Sequence, residues 1–472
     1  MIALTLGDVA RAVGGRLSGG AGAATPVTGF STDSRVVARG DLFVAVRGEH
    51  HDAHDFAAQA VDAGAAAVLA AREVGVPSVV VDDDAVLALG RLARSVVDSL
   101  PDLVVVGITG SSGKTSTKDL MAQVLVELGP VVAPQGSFNT EVGLPLTALK
   151  VDEGTRVLVS EMGARDLGHI AYLCGITPPR VGVVLNVGSA HIEIFGSRDA
   201  IAQTKGELVE GTLPAAEGGV AVLNADDPLV AAMAPRAVGR VVTYGRSATA
   251  DVRAEDEVLD GESRASFALV AAGERHPVSL RLHGAHMVLN ALAVAAAAIE
   301  LGVPAQTVAR RLSDAAPASR WRMEVAASAS GVTVVNDAYN ANPESVVAAL
   351  DALAVMGAAS DDRPARRTWA VLGEMRELGE AAPGAHERVG REAAERGITH
   401  VVAVGPGASG VATGAEGVGG ATVVLAVPDV GAAARLLHEQ VREGDVVLVK
   451  ASRASGLETV AQSLLAPAEV TP

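Results

Sequence analysis

Short, unbroken apolar runs recur along the chain, separated by longer segments whose apolar positions return every three or four residues. Runs of the first kind lie within 42–46 (LFVAV), 66–70, 78–81, 103–118, 156–163, 181–197, 219–228, 331–345, 368–375 and 445–453. A strand buried on both faces reads in this way because neither side meets water. The intervening segments predict helices over 55–63, 85–99, 114–128, from about 199 onward, 285–301, 302–317 and 429–442. Alternating strands and helices predict an α/β chain built on doubly wound parallel sheets. Punctuation divides it into three domains, 1–101, 102–316 and 317–472, with Pro101-Asp102 as the first boundary. A β-rich stretch, about 239–283, extends the central sheet. Residues 410–421, GVATGAEGVGGA, are glycine-rich with no lysine behind them, and are expected to form a surface loop.

The most informative stretch is 103–118, LVVVGITGSSGKTSTK, where an apolar run ends in a glycine-rich turn and a helix follows. Gly107, Gly110 and Gly113 permit positive φ and close backbone approach. Ser111, Ser112, Gly113, Lys114, Thr115 and Ser116 then lie at a helix N-terminus, where free N–H groups and the helix dipole favour an anion. Lys114 is placed to reach the outer phosphates of a nucleotide, and the Thr115 hydroxyl to ligate magnesium. The spacing departs from the general phosphate loop, whose first glycine would fall at Ile108. The expectation is an ATP site.

Composition narrows the alternatives. The chain has 472 residues, is 49% hydrophobic and 20% charged, and carries a formal charge of −17. Such acidity argues against nucleic acid as a partner, because phosphate backbones need a basic face. A single cysteine, Cys174, rules out an internal disulfide and fits a reducing cytosol; a small buried apolar role suits it better than a nucleophilic one. The N-terminus lacks a basic leader region, and Asp8 comes early, so no signal peptide is expected. The most apolar helix, 285–301, holds His286, Asn290 and Glu300, which argues for a buried helix and against membrane insertion. His50, His51 and His54 have neither cysteines nor helical spacing to make a metal site, and a polar ligand loop is the better reading.

Ligands of open parallel sheets lie outside the carboxyl ends of the strands, which singles out several residues. Glu161 ends the 156–163 run, where it suits magnesium or, alternatively, caps the next helix. The 181–197 stretch is a buried strand that delivers Asn186 and then His191 in a loop, and both a structural and a ligand role stand open for His191. Asn139 and Thr140 sit in a polar loop after 135. In 331–345 the strand ends in Asp337, with Tyr339, Asn340, Asn342 and Pro343 in the turn beyond it. Lys205 and Glu207 fall on a helix where charged residues ordinarily form a solvated face.

Taken together, GITGSSGKT, SFNTEVGLP, SEMGARDLGHI, NVGSAHIEIFGS, QTKGEL, GAHMVLNALAVAAA, WRMEV, NDAYNANPES, VLGEMRELG and LVKASR stand in an order that resembles the Mur ligases over nearly the whole chain. The STDSR segment, LFVA, HDF and the YNANP turn are similar to the branch that adds D-alanyl-D-alanine. The Asp-Asn-Pro-Arg motif of the diaminopimelate-adding relative is absent, and Met287 stands where many relatives have Asn. Folylpolyglutamate synthase, a rival amide ligase, would carry an Asp-Gly-Ala-His-Asn-Pro-like turn in place of NDAYNANP. A phosphate-loop regulatory switch would need no third domain.

The resemblance implies an N-terminal UDP-binding domain, a central phosphate-loop ATPase domain and a C-terminal Rossmann-like domain. It implies a cytoplasmic, ADP-forming ligase of peptidoglycan precursor synthesis that joins D-alanyl-D-alanine to UDP-N-acetylmuramoyl-tripeptide using ATP and Mg2+, with a monomer expected. By resemblance, Asp33, Ser34 and Arg35 hold the UDP end, and Asn139 and Thr140 face substrate. Asn290, Arg322 and Asp337 contact the nucleotide. Thr115 and Glu161 hold one magnesium; His191 and Lys205, the latter as a carbamate, serve the second. Lys114, Glu161, His191 and Lys205 are the expected catalytic set.

Overall fold

A computed structural model of the chain describes residues 1–48, 51–190, 192–360 and 363–466. Three α/β domains follow one another, each on its own main sheet. In the first, the helix Leu6–Val13 starts at Thr5, whose hydroxyl accepts from the Asp8 N–H while the Asp8 carboxylate accepts from the Thr5 N–H. This reciprocal capping satisfies two amides that the helix itself leaves open. The sheet runs in the order 16–18, 78–80, 67–70, 41–44, 29–31, parallel except for the first strand.

The middle sheet has nine strands. From one edge, Val131–Val132, Val157–Glu161, Val104–Thr109, Val181–Val184, Val220–Asn224, Arg240–Gly245 and Val252–Leu259 are parallel neighbours. Arg264–Ala271 and Glu274–His283 then extend it antiparallel. The chain departs from Val104–Thr109 in both directions across the sheet, which opens a crevice at that strand's carboxyl end. The helix His286–Glu300 is buried along most of its alanine-rich length, as its apolar character demands. No helix among the described residues is long and apolar enough to cross a membrane.

The third domain carries six strands in the order 324–327, 333–336, 446–450, 368–372, 400–404, 423–427, all parallel but the first. The seams between domains differ in kind. Leu89, Leu92 and Val96 of the first domain share one apolar cluster with Leu144, Ile170 and Leu173 of the middle one. The third domain has separate apolar clusters of its own, against which Ile192 of the middle domain packs. Its other ties to the middle domain are largely polar: Ser189 Oγ to the Glu344 carboxylate at 2.9 Å, Asn342 Nδ2 to Ser111 O at 3.4 Å, and Arg363 Nη2 to Gly261 O at 3.1 Å.

The expected surface loop over 410–421 is a correction. Ser409–Glu416 is a helix, with Val411 and Ala415 buried, packed against Ala382–Glu395. Its glycines serve a helix crossing at backbone contact. A Cβ on Gly390 would lie 1.9 Å from Val411 O, and one on Gly414 would lie 1.9 Å from Glu387 O. Composition alone cannot separate such glycines from loop glycines. Gly390→Val should therefore destabilise the third domain by about 1–3 kcal/mol or more through overpacking. Thermal unfolding checks this, with Gly384→Ala as a control, since a Cβ at Gly384 meets nothing within 4 Å.

Candidate active site

The loop after Val104–Thr109 is shaped by contacts that leave no room for side chains. Gly113 has φ +83°, and a Cβ there would sit 2.7 Å from Asn290 Oδ1; one on Gly110 would sit 2.8 Å from Leu185 Cβ. Asn186 holds the loop from the adjacent strand. Its Oδ1 accepts from Ser112 N at 2.9 Å, its Nδ2 donates to Ser112 O at 3.2 Å, and its backbone carbonyl accepts from Ser111 N at 3.1 Å. Ser111 Oγ in turn accepts from Gly188 N at 2.9 Å. The helix Lys114–Leu125 begins at once, so its free N–H groups open toward the crevice. Half-buried Lys114 donates from Nζ to Gly110 O at 2.6 Å. Burial lowers its pKa; the Glu161 carboxylate opposes this, and the Arg322 charge adds to it.

Oxygen ligands gather beside the lysine. Thr115 Oγ1 lies 3.1 Å from Glu161 Oε2 and 2.9 Å from Ser137 Oγ, and Asn139 Nδ2 donates to Glu161 Oε1 at 2.8 Å. Thr115 is 2% exposed and Glu161 1%. The Arg322 guanidinium reaches in from the third domain and donates to Thr115 Oγ1 at 2.9 Å and Ser137 Oγ at 3.0 Å. This oxygen cluster thus already hosts a cation.

The capping alternative for Glu161 does not describe the structure. The helix His169–Ile176 is capped by Glu207, whose Oε1 accepts from Gly168 N at 2.6 Å and Oε2 from Ala171 N at 3.0 Å. Lys205 and Glu207 are 4% and 6% exposed, so neither lies on the solvated face that charged helix residues ordinarily form. Arg236 lies directly over Gly206 between them. Burial first, and then the nearby Lys114 charge, push the Lys205 pKa well below its ordinary value.

From the third domain, Asp337 follows the strand Thr333–Asn336, and its Oδ2 accepts from Lys450 Nζ at 2.5 Å. Its Oδ1 accepts from Met323 N at 3.0 Å, which fixes the segment carrying Arg322. The Arg322 guanidinium stacks 4.0 Å from the Tyr339 ring centroid. The two sheets thus turn their carboxyl ends toward one cavity of about 390 Å³, lined by Gly113–Ser116, Asn139, Thr140, Glu161, Lys205, Asn290, Arg322 and Asp337 among others. His286 also lines it, its pKa lowered chiefly by burial.

Several expected residues stand elsewhere. Asp33, Ser34 and Arg35 lie beyond the carboxyl end of Gly29–Ser31 in the first domain, outside this cavity. Arg35 grips Asp33 through Nε at 2.8 Å and Nη2 at 2.7 Å, and this guanidinium holds the Asp33 pKa down to about 2. His191 and His50 lie outside the described residues. His54 has both ring nitrogens engaged, Nδ1 with Asp52 at 2.6 Å and Nε2 accepting from Ala71 N at 2.9 Å. Cys174 is buried with its pKa pushed up to about 12 by burial, as suits a packing residue. Sequence reading named Asn186 and Tyr339 at strand ends without giving them a role, and singled out neither Ser137, in the loop after Val131–Val132, nor Lys450, at a strand end.

Comparison with known proteins adds independent findings. The chain matches the Mur ligase middle domain over residues 108–298, the Mur ligase glutamate ligase domain over 321–453, and the Mur ligase family catalytic domain over 26–99. It is 48% identical to the UDP-N-acetylmuramoyl-tripeptide–D-alanyl-D-alanine ligase of Mycobacterium tuberculosis, covering 99% of this chain and 98% of that one. The Escherichia coli ligase of the same name is 34% identical, with 98% and 99% covered. The crystal structure of MurF from Acinetobacter baumannii superposes with a TM-score of 0.88 at 31% identity, covering 98% and 99%. MurF from Thermotoga maritima, solved in complex with ADP, gives 0.79 at 33% identity, covering 93% and 97%.

The Lys450–Asp337 pair is 2% and 12% exposed at its side chains. Lys450→Met would strand a buried carboxylate, and should lower stability by about 3–5 kcal/mol. Urea unfolding of the intact chain checks this, with Asp337→Asn, Lys450→Met expected to recover part of the loss.

Proposed function

The chain belongs to the Mur ligase family, and on that premise we propose that its cleft joins D-alanyl-D-alanine to UDP-N-acetylmuramoyl-tripeptide with conversion of ATP to ADP. The observation that carries this reading is the convergence of a phosphate loop, a buried oxygen cluster and third-domain cations on one cavity. A carboxylate is a poor electrophile. Its oxygen attacks the γ-phosphorus of ATP, ADP leaves, and the resulting acyl phosphate offers a carbonyl carbon to the dipeptide amine. Phosphate then departs from the tetrahedral intermediate.

The labour divides along the chain. Residues 1–101 hold the UDP end through Asp33, Ser34 and Arg35. Residues 102–316 bind ATP, with Gly110–Ser116 around the phosphates and Asn290 beside the loop. Residues 317–472 complete the nucleotide site with Arg322 and Asp337 and help to enclose the dipeptide. Asn139 and Thr140 face the tripeptide. Lys114 is poised for the outer phosphates, since an arriving anion draws its ammonium from the Gly110 carbonyl.

Thr115, Ser137 and Glu161 suit a cation, as the seated guanidinium of Arg322 supports. Magnesium, when bound, supplies neutralising charge at the phosphates; Thr115 and Glu161 would hold one ion, and His191 with Lys205 as a carbamate would hold a second. Lys205 suits that modification, because burial and then the Lys114 charge lower its pKa and so favour the neutral amine that reacts with CO₂. A monomer acting in the cytoplasm suits these nucleotide-linked substrates.

Phosphate release tests the whole reading. It is expected only with both the UDP-linked tripeptide and D-alanyl-D-alanine present, whereas slow hydrolysis indifferent to either would favour a regulatory switch. Lys114→Ala should lower that rate about 10²–10³-fold. Lys205 gives a separate test: Lys205→Ala should be nearly inactive and partly rescued by a small added carboxylate, and Lys205→Arg should be inactive. An active Lys205→Arg protein would exclude the carbamate.

A further inference from the structure

The tripeptide assigned above must cross from the first domain, which holds its UDP end, to the phosphate loop, where its last carboxylate reacts. One wall along that course is the segment joining the strand Val157–Glu161 to the helix His169–Ile176. At one end, Glu161 meets Thr115 beside the phosphate loop, 3.1 Å away. At the other, the helix lies on the first domain: Arg94 Nη1 donates to Gly175 O at 2.9 Å, and a Cβ on Gly90 would sit 2.8 Å from Tyr172 Oη. Arg165 stands between the two, and lines the cleft together with Gly163, Ala164 and His169.

The segment is fixed on several sides. Gly163 N donates to Asn139 O at 2.8 Å, an approach so close that a Cβ on Gly163 would lie 3.1 Å from that oxygen. Ala164 is buried, and the Glu207 carboxylate accepts from Gly168 N and Ala171 N. His169 folds back onto the turn, its Nδ1 accepting from Arg165 N at 3.2 Å. The ring proton is therefore at Nε2, which lies 3.2 Å from Glu141 Oε2. The other oxygen of Glu141 approaches the guanidinium, with Oε1 3.5 Å from Arg165 Nη1. That spacing is longer than a hydrogen bond, so Glu141 steadies the charge without taking up the fork of donors. Glu141 stands behind the cleft lining and Arg165 within it, so the charge turned toward a substrate is positive. Lys114 and Lys205 serve the reacting end, while Arg322, Arg376 and Lys450 come from the third domain. Among the described residues, Arg165 is the one arginine or lysine that lines the cleft on the wall shared with the first domain.

We propose that Arg165 binds a second carboxylate of the tripeptide, carried on the side chain of its third residue. It would thereby select a diamino diacid over a diamino acid whose side chain ends in an amine alone. The proposal rests on the ligase reading above. The third residue bears the carboxylate that reacts beside Thr115 and Glu161, and Arg165 is four positions beyond Glu161 on the same cavity wall, so that residue's side chain passes along it. A planar guanidinium meets a carboxylate with two parallel N–H···O bonds. The same charge repels a bare ammonium.

Two UDP-linked tripeptides separate this role from a plain surface ion pair, one ending in 2,6-diaminopimelate and the other in lysine. Their binding is read by titration calorimetry with β,γ-imido-ATP present, so that no chemistry is required. The unaltered protein should bind the diaminopimelate form about 10–10²-fold more tightly, the range expected of hydrogen bonds to charged groups. Arg165→Met should bring the two within about twofold by weakening the diaminopimelate form. Arg165→Glu should invert the order. Both variants should fold, since the Arg165 side chain is exposed and its pair with Glu141 is loose. A preference unchanged in both variants would overturn the proposal. Equal weakening of both tripeptides would also overturn it, by placing Arg165 on a part that the two share. Selective binding by an unaltered protein that releases no phosphate with ATP and D-alanyl-D-alanine would fail the ligase reading alone.

Discussion

The Arg322 guanidinium, seated on the hydroxyls of Thr115 and Ser137, is the contact on which the enclosed site depends. It carries a charge from the third domain into the oxygen cluster of the middle one, and Asp337 holds its segment through Met323 N. Bonds to charged groups of this kind are worth about 1.5–3 kcal/mol each, because water replaces them when they open. The seam between the first two domains is another matter. There Leu89, Leu92 and Val96 sit in one core with Leu144, Ile170 and Leu173, and apolar area taken from water contributes about 25 cal/mol per Å². The first two domains are therefore tied as one body, while the third is joined mainly by contacts that a charged ligand can exchange for its own.

Charge is concentrated in this cleft. Lys114, Lys205 and Arg322 all line the cleft, with the buried carboxylate Glu161 among them. With no anion present, the ammonium of Lys114 turns to the Gly110 carbonyl, and both lysines have depressed pKa values. A polyphosphate would reverse each of these compromises at once. The energy that binds it comes partly from cations already gathered, at some cost to the protein's own stability.

How much of this was legible in sequence depends on distance along the chain. The phosphate loop is local: strand, glycines, lysine and helix are consecutive, so residues 103–118 declare their chemistry unaided. Arg322 and Asp337 are more than two hundred residues from Thr115; a strand-end position marked Asp337, but only resemblance to a family pointed to Arg322 and gave either a role. The helix Arg198–Glu210 was illegible without the resemblance for a related reason. Its buried positions include Lys205 and Glu207, so no apolar stripe marks the inward face, and polar residues buried for a purpose read as solvent-facing. The helix Ser409–Glu416 misled in reverse, its glycines suggesting a loop where they allow two backbones to touch.

Backbone strain draws the same map of the cleft as the charges do. Among the described residues, six that are not glycine take positive φ. Asp256, Ser263 and Ala272 lie in the antiparallel extension of the middle sheet, at a bulge and at hairpin turns, where tight reversals demand such geometry. Trp321, Met323 and Glu377 belong to no hairpin. Two of them flank Arg322, and the third lines the cleft itself. Strain of this kind persists only where neighbours over-determine the backbone, and here those neighbours are identifiable. Asp337 pins Met323 N, Arg453 stacks 4.2 Å from the Trp321 ring, and His386 and Ser452 clamp the loop before Glu377. Each device lies outside the cation cluster yet sets the direction of a side chain that enters the cleft. The third domain thus contributes chiefly aimed groups, and the rigidity that aims them is built into its own sheet edge before any ligand arrives.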